Sequence, residues 1–390
     1  MSALALKSRT KVLTTNLFTQ SKLVWWTTSR TFLTVRKGHI PKRLCVVYGL
    51  AVYRTTFLLT NNSTISTTTL VEKYMRSCSL LASAKINLYL EIIRDRPDGY
   101  HDLLMVLQSI DLADQIDLRS TQTNTIQVYC NHPEVPQDHR NLAYKAVAVM
   151  AKHFPHAFAK YGGVDITIHK RIPVGAGLAG GSTNAAAVLV GLNLMWELGL
   201  NHKQLQYLGS LLGSDVPFCI VGGTTLATGR GEYLTPLPAI DNFYVVLAKY
   251  RSLSVSTAWA YQTYRHQYLH SNVSNTSMTG HPDQGAYSGK IVSAIARQNQ
   301  MQIYQLLHND LERVVLPTYP QVQQLREEFQ RLGCPGIMSG SGPTVFALTK
   351  SQAQAQQVVE AVNAAISDPD LELWISQFTN SSIRVLSFDN

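Results

Sequence analysis

The stretch IPVGAGLAGGSTNAA, residues 172–186, limits what this 390-residue chain can fold into more than any other. Before it, GVDITIHKRI alternates, with Val164, Ile166 and Ile168 inward and Asp165, Thr167 and His169 outward, which is the period of a strand. After it, STNAAAVLVGLNLMWELG predicts a long helix stopped by Gly199. A strand that passes through four glycines into a helix makes a turn whose backbone can approach a ligand closely. That turn gathers unpaired N–H groups at the positive end of a helix dipole. The chain must therefore mix α and β structure around an anion-binding turn. Ser182, Thr183 and Asn184 stand where loop becomes helix. All three are good N-cap residues, and a hydroxyl there can also reach a phosphate or a metal ion.

Three kinds of glycine turn compete. Gly175, Gly177 and Gly180 spell G-x-G-x-x-G, but a dinucleotide fold needs an acid at the end of a second strand about 20 residues on. Glu197 has the distance and lies at the end of the same helix, in LMWELGL. A Walker loop needs a lysine after its glycines, and none follows. A phosphate cradle of another kind and a tight packing turn remain open on these residues alone.

The formal charge of +9 suggests a nucleic-acid partner until its position is considered. Residues 1–71 hold ten Lys or Arg and no acid, which leaves 24 basic against 25 acidic residues in the rest. The body is near neutral, so no nucleic-acid partner is expected. No uncharged apolar run in the N-terminal segment is long enough to span a bilayer, so no membrane partner is expected either. The first 74 residues, rich in Ser and Thr, are expected to be an extension outside the folded domains: a transit peptide, a disordered tail, or sequence upstream of a start at Met75. The five cysteines are scattered without a C-x-x-C, which fits a reducing compartment and no zinc site.

From Ser83 onward the pattern sharpens. In AKINLYLEII, Ile86, Leu88, Leu90 and Ile92 alternate with Lys85, Asn87, Tyr89 and Glu91, which predicts a strand with Lys85 and Asn87 together on the face opposite the apolar one. RDRPDGYH is a turn; LLMVLQSI, QIDLRS and TIQVYC predict strands. NLAYKAVAVMAKHF and NHKQLQYLGSLLG predict helices, and GTTLATGRGE a hairpin with a Gly-Arg-Gly turn. A change of composition at LTPLPAIDN predicts a boundary, giving domains over 75–238 and 239–390. The polar stretch 271–289 is a loop.

PVGAGLAGGSTNAA resembles the ATP-phosphate loop of the GHMP kinases, of form P-x-G-x-G-L-x-x-S-x-[AS]. SAKINLYLEI is similar to the N-terminal motif of that family and GIMSGSGPTVFAL to its C-terminal glycine motif, in the family's order. The resemblance covers about residues 78–390. It implies an α+β fold of two domains: one like the second domain of ribosomal protein S5, the other ferredoxin-like. RDRPDGYHDLLMVLQSIDLADQI, GSDVPFCIVGGTTLATGRGE and NDLE look like one branch of the family, whose alcohol substrate carries a cytidine diphosphate group. Small-alcohol kinases without that group, such as homoserine kinase, are the alternative. A nucleic-acid-binding module is the alternative from another class.

Phosphoryl transfer to a neutral alcohol needs positioning, charge stabilisation and a carboxylate near the attacking hydroxyl. The resemblance assigns the base to Asp215 and the supporting cation to Lys85. The residues alone read Asp215 as a helix cap, since Ser-Asp-x-Pro before an apolar run is an N-terminal signal. ATP is implied to bind along Pro173, Val174, Gly175, Ala176, Gly177, Leu178, Ala179, Gly180, Gly181, Ser182 and Thr183, with Asn141 and Lys170 lining the site. Asn141 reads equally as a helix cap and Lys170 as a surface lysine. Ala176 and Ala179 replace glycines common in the family, which the cradle tolerates if neither needs a positive φ. Tyr100 is implied to stack on the cytosine ring, His101 to hydrogen-bond it, and Asn87 to contact the substrate near the transferred group. The C-terminal glycine motif Gly340, Ser341 and Gly342 is implied to bring the second domain's backbone to the site, though the residues alone read as an ordinary turn before a strand. Mg2+ is expected with the ATP; its ligands stay open, Ser182 being a candidate by its hydroxyl only. The remaining expectations are a monomer or weak homodimer and a location in a cyanobacterium-like cytoplasm, or in the plastid stroma if the first 74 residues are a transit peptide.

Overall fold

The computed structural model describes residues 77–121, 123–240, 243–269 and 286–389, with four short strands before them. Those four form two hairpins, β1 (Lys22–Trp26) with β2 (Phe32–Arg36) and β3 (Leu44–Tyr48) with β4 (Ala51–Thr55), inside a unit of residues 1–71. The expectation for 1–74 otherwise lies outside the described residues, as does most of the 271–289 loop.

The second unit, residues 72–390, is organised by two long strands. β5 (Ser77–Asp95) and β6 (His101–Ser120) pair antiparallel from Ser77–Arg119 to Asp95–His101, with register shifts on the way. LLMVLQSI and QIDLRS are thus one strand rather than two. No glycine or proline separates them, so the strand runs on through Ile110–Leu112, where its pairing with β5 skips. Each long strand is wide enough to serve two partners on its outer edge. β6 takes β8 (Val164–His169) along Gln115–Ser120 and β9 (Thr224–Gly229) along Leu103–Gln108. β5 takes β16 (Ile383–Asp389) along Ser77–Ala82 and the short β12 (His308–Asn309) at Tyr89–Leu90. β7 (Ile126–Cys130) pairs parallel with β8, and β10 (Tyr233–Pro236) closes the hairpin with β9, making eight strands among the described residues.

One face of this sheet carries helices. α1 (Leu142–His153) lies beside α3 (Gly180–Met195), followed by α4 (His202–Ser210) and α5 (Val216–Val221); the short α2 (Pro155–Tyr161) extends α1. α3 is apolar all round because it is the central helix of the layer, buried from Thr183 to Leu192. Gly191 lets it lie flat on the sheet, since a Cβ there would overlap Leu118 and crowd Leu80.

The other face of the sheet meets a second, four-stranded antiparallel sheet. Its order is β13 (Gly336–Met338), β14 (Val345–Thr349), β11 (Tyr244–Tyr250), β15 (Leu371–Gln377). With α10 (Pro320–Arg331) and α11 (Gln352–Ala365) as its crossing helices, this is the ferredoxin-like order that the resemblance implies. Ile86, Leu88, Val106 and Ile110 from the first sheet pack with Val245, Leu247, Phe346 and Leu348 from the second. α8 (Gln300–Gln305), β12 and α9 (Glu312–Thr318) follow one another before α10. α6 (Thr257–Tyr264), a π-turn at Arg265–Leu269, and α7 (Ala286–Ala296) complete the chain order between β11 and α8.

The alternation expected in β5 is broken by register shifts at Ala84, Leu88 and Ile93. Cys78, Leu80 and Ala82 face the helix layer; Ala84, Ile86 and Leu88 face the second sheet; Leu90 and Ile92 face the helix layer again. The apolar set is therefore split between two cores. For four residues the strand presents Lys85 and Asn87, instead of aliphatics, to the helix side. Every residue of β5 except Arg94 is buried or half-buried, because layers cover both faces.

Candidate active site

The phase change in β5 sets the site. Lys85 is buried under the helix layer with Nζ 2.7 Å from Asn87 Oδ1 and 3.9 Å from Asp215 Oδ2. Asn87 is fully covered and its amide nitrogen points at Met105 Sδ, 3.5 Å away. Asp215 occupies the N-cap position of α5 but its side chain makes no capping bond; it is 37% exposed and turned toward Lys85. The capping role read from Ser-Asp-x-Pro is thus not the one the side chain performs.

The glycine loop lies against the same strand. The Lys85 N–H, released from the ladder by the register shift, donates to Leu178 O at 3.1 Å. Gly175 and Gly177 have φ of +61° and +73°. A Cβ on Gly177 would overlap Ser339 O, and one on Gly340 would stand 3.2 Å from both Lys85 Nζ and Gly177 O. The two glycine motifs, 162 residues apart along the chain, therefore touch through bare backbone, with Ser339 Oγ donating to Gly177 O. Ser341 lies on the far side of this turn, its hydroxyl 2.8 Å from that of Thr257.

α3 starts earlier than expected. Its N-cap is Ala179, with no side-chain cap, so Ser182 and Thr183 sit inside the first turn rather than capping it. Gly180, Gly181 and Ser182 then present N–H groups that have no acceptor within the helix. Ala179 has φ +57°, so the condition under which alanine would be harmless there is not met. A left-handed alanine costs about 1 kcal/mol relative to glycine. Ala176 avoids this and is buried beneath the loop, as is Leu178. The Thr183 hydroxyl is buried and turned to the Cys219 thiol.

Asn141 and Lys170, expected beside ATP, have partners already. Asn141 caps α1, accepting from Ala143 N at 2.9 Å and donating to Pro136 O at 2.6 Å. Lys170 Nζ lies 2.5 Å from Asp114 Oδ2, with both side chains buried. Asp114 is the hub that sequence reading missed. It also accepts from Arg171 N and Ile172 N, at 2.7 and 2.9 Å, and from Asn184 Nδ2 at 2.7 Å. One carboxylate thus ties the entry of the glycine loop to the helix that leaves it. Its parity offered a signal: Asp114 shares the inward face of β6 with Ile116 and Leu118, and an acid there must be paired.

Tyr100 and His101 lie at the far end of β5 and β6, where the two strands turn. Tyr100 is exposed, with the Arg230 guanidinium 4.9 Å from its ring centroid. His101 is buried against Tyr261, ring centroids 5.2 Å apart, with Nε2 3.1 Å from Asp95 Oδ1 but out of line for a hydrogen bond. Burial holds its pKa below the ordinary imidazole value, reinforced by the charge on Arg265 and opposed by Asp95. Arg265 reaches across from the π-turn to bond Asp95 at 3.0 Å and Gly99 O at 2.9 Å. Tyr261 and Arg265 carry no sequence motif and come to the turn only through tertiary packing. The NDLE residues serve as struts. Asn309 Nδ2 donates to Met338 O and Gly340 O at 2.7 and 2.8 Å, Asp310 accepts from Ile92 N, and Glu312 accepts from Met338 N.

Residues 141–223 match the GHMP kinases N terminal domain and residues 291–368 the GHMP kinases C terminal domain. The chain is 61% identical over 315 residues to a 4-diphosphocytidyl-2-C-methyl-D-erythritol kinase of Nostoc punctiforme, covering 80% of this chain and 99% of that protein. A protein of the same name from Trichodesmium erythraeum is 61% identical over 312 residues, with the same coverage. The chain belongs to the 4-diphosphocytidyl-2-C-methyl-D-erythritol kinase family. A solved 4-(cytidine 5'-diphospho)-2C-methyl-D-erythritol kinase superposes with a TM-score of 0.58 at 29% identity, covering 77% of this chain and 98% of its own. A homoserine kinase from Cytophaga hutchinsonii superposes with a TM-score of 0.61 at 17% identity, over 80% of this chain and 98% of its own, which speaks for the GHMP kinase fold alone. The chain is thus an ATP-dependent kinase of this family. Among the described residues no helix is long and apolar enough to cross a membrane, and no three His, Cys, Asp or Glu side chains gather as metal ligands.

Proposed function

We propose that this chain transfers the γ-phosphoryl group of ATP to the 2-hydroxyl of 4-diphosphocytidyl-2-C-methyl-D-erythritol, giving the 2-phosphate and ADP, a step in the non-mevalonate route to isoprenoid precursors. The observation that carries the reading is the grouping of Lys85, Asn87 and Asp215 under two touching glycine turns, on the same pair of strands that ends in Tyr100 and His101. The first group suits phosphoryl transfer to an alcohol and the second a cytosine ring.

Asp215, partly open to solvent, takes the hydroxyl proton as the oxygen attacks phosphorus. Lys85, 3.9 Å from Asp215, offsets negative charge on the attacking oxygen, and Asn87 holds Lys85 and the substrate near the transferred group. The free N–H groups of α3 and the loop from Pro173 to Gly181 hold the phosphates by dipole and hydrogen bond in place of a Walker lysine. Lys170 and Asn141 act as positioning residues for that loop. Mg2+ fits beside the phosphates, with the hydroxyl of half-buried Ser182 in the first turn of α3 as an oxygen donor; it would neutralise phosphate charge. His101, neutral because it is buried, is suited to hydrogen-bond cytosine while Tyr100 stacks on it.

The division into a catalytic domain over 75–238 and a second domain over 239–390 belongs to this proposal, with β12 and β16 returning from the second segment to the first sheet. So do a monomeric or weakly dimeric state and a cytoplasmic or plastid location. Coupled measurement of ADP release with the cytidyl substrate, mevalonate and homoserine tests the activity. Turnover of the first alone is expected; turnover of homoserine instead would overturn the reading.

A further inference from the structure

The turn Gly229–Arg230–Gly231–Glu232 between β9 and β10 is used by nothing described so far. Both glycines have positive φ, +70° and +106°. A Cβ on Gly231 would stand 2.9 Å from Met105 Cε and 4.0 Å from Ser214 O. Met105 is the residue against which Asn87 rests, and Ser214 precedes Asp215. One side of the turn tip is therefore pressed against the reacting end of the site. On the other side, Arg230 lies over the Tyr100 ring. The tip bridges the two ends that the proposed substrate must join.

A substrate whose cytosine lies at Tyr100 and whose hydroxyl lies at Asp215 must run its diphosphate past this tip, with about two negative charges that need a cation. The other cations along the path are engaged. Lys85 is bonded to Asn87 beside Asp215, Arg265 to Asp95 and Gly99, and Arg96 to Asp98 and Asp102. Arg230 is 38% exposed and meets Glu232 through Nε at a long 3.4 Å. The second Glu232 oxygen is taken by the Arg230 backbone N–H. The two terminal guanidinium nitrogens bond no side chain or carbonyl among the described residues. Arg230 thus has a fixed base, a ring to lie on, and an unused fork.

We propose that Arg230 binds the diphosphate of the cytidine diphosphate substrate, with its terminal nitrogens donating to the phosphate oxygens while the ring of Tyr100 supports the guanidinium. The proposal rests on the cytidyl substrate reading above and adds a specificity determinant to it. It explains how one hairpin can register both the base and the hydroxyl: the charge between them is fixed to the same turn.

The test compares the full chain with Arg230→Met and Arg230→Lys. Arg230→Met raises KM for the cytidyl substrate about 10- to 100-fold, the range for losing charge-assisted bonds. KM for ATP stays unchanged and kcat stays within a few-fold. Arg230→Lys falls between. Competitive inhibition by CDP and by cytidine separates charge from stacking. Wild type binds CDP more tightly than cytidine, and Arg230→Met loses that preference while its affinity for cytidine is unchanged. An unchanged substrate KM, or an equal loss of CDP and cytidine binding, overturns the proposal, the latter because Arg230 would then act only by holding Tyr100. Lack of a CDP preference in the wild type also overturns it. Wild-type turnover of the cytidyl substrate tests the functional reading separately, since the CDP and cytidine comparison is read without turnover.

Discussion

Two buried lysines, Lys85 and Lys170, each face an aspartate, and the two pairs could hardly differ more. Lys170 and Asp114 are 2.5 Å apart and sealed from water, and the carboxylate is saturated by three further donors. Lys85 and Asp215 are 3.9 Å apart, and Asp215 is open on one side with no other side-chain bond among the described residues. A saturated pair has no lone pair left to act on a ligand, so its free energy goes into holding the loop. An unsaturated pair holds little and keeps a base available. Closeness of opposite charges therefore marks structure here, and the longer, incomplete pair marks chemistry.

The sharpest way to break this contrast is to exchange each aspartate. Asp215→Asn is expected to lower kcat about 10²- to 10⁴-fold and to leave the urea midpoint nearly unchanged. Activity within a few-fold of wild type would remove Asp215 as base. Asp114→Ala is expected to behave in the opposite way. It leaves the Lys170 charge buried and orphans two backbone N–H groups, destabilising the fold by about 3–5 kcal/mol in urea titration. Lys170→Met should cost less, because the carboxylate keeps its other donors. If Asp114→Ala lost activity at full stability, the closed pair would have to be counted as part of the chemistry.

The His101 and Asp95 contact lies between these extremes and predicts a pH effect. Burial holds the folded pKa of His101 below its ordinary 6.5. The stability contribution of the neutral ring is present above 6.5 and is lost as pH falls through the lower folded value. KM for the cytidyl substrate should rise over that acidic window, and His101→Gln should flatten the rise. A KM for substrate that is flat with pH in the wild type would argue against a hydrogen bond from a neutral His101. The smallest effect belongs to the loop that the closed pair holds. Ala179→Gly relieves a left-handed alanine and should stabilise by up to about 1 kcal/mol in urea titration, less the entropy glycine adds to the unfolded chain.

Much of this was legible in the sequence, and what was not has identifiable causes. The glycine loop, its helix, the Lys85–Asn87 pairing and the hairpin at Gly-Arg-Gly follow from local pattern, because each depends on residues close in sequence. The split of β5 between two cores did not, since nothing in AKINLYLEII marks where pairing with β6 shifts. Nor did the contact of Tyr261 with His101, about 160 positions away, or the bracket of Asn309 on Gly340. Asp114 was within reach, because its parity among core residues demanded a partner; which partner only the fold supplies. Asp215 shows the reverse case, in which the local signal for a cap was sound about the position and wrong about the side chain.

The register shifts in β5 carry a consequence for how this enzyme tolerates change. A strand that alternates regularly can lose its functional side chain only by substitution. Here the side on which Lys85 emerges depends on an offset introduced at Ala84 and removed at Leu88, residues that touch no substrate. Pairing without that offset would keep every polar group of the site in the chain and send Lys85 and Asn87 into the apolar seam between the sheets. The site is thus encoded as much by spacing as by composition, and its most damaging lesions are those of length.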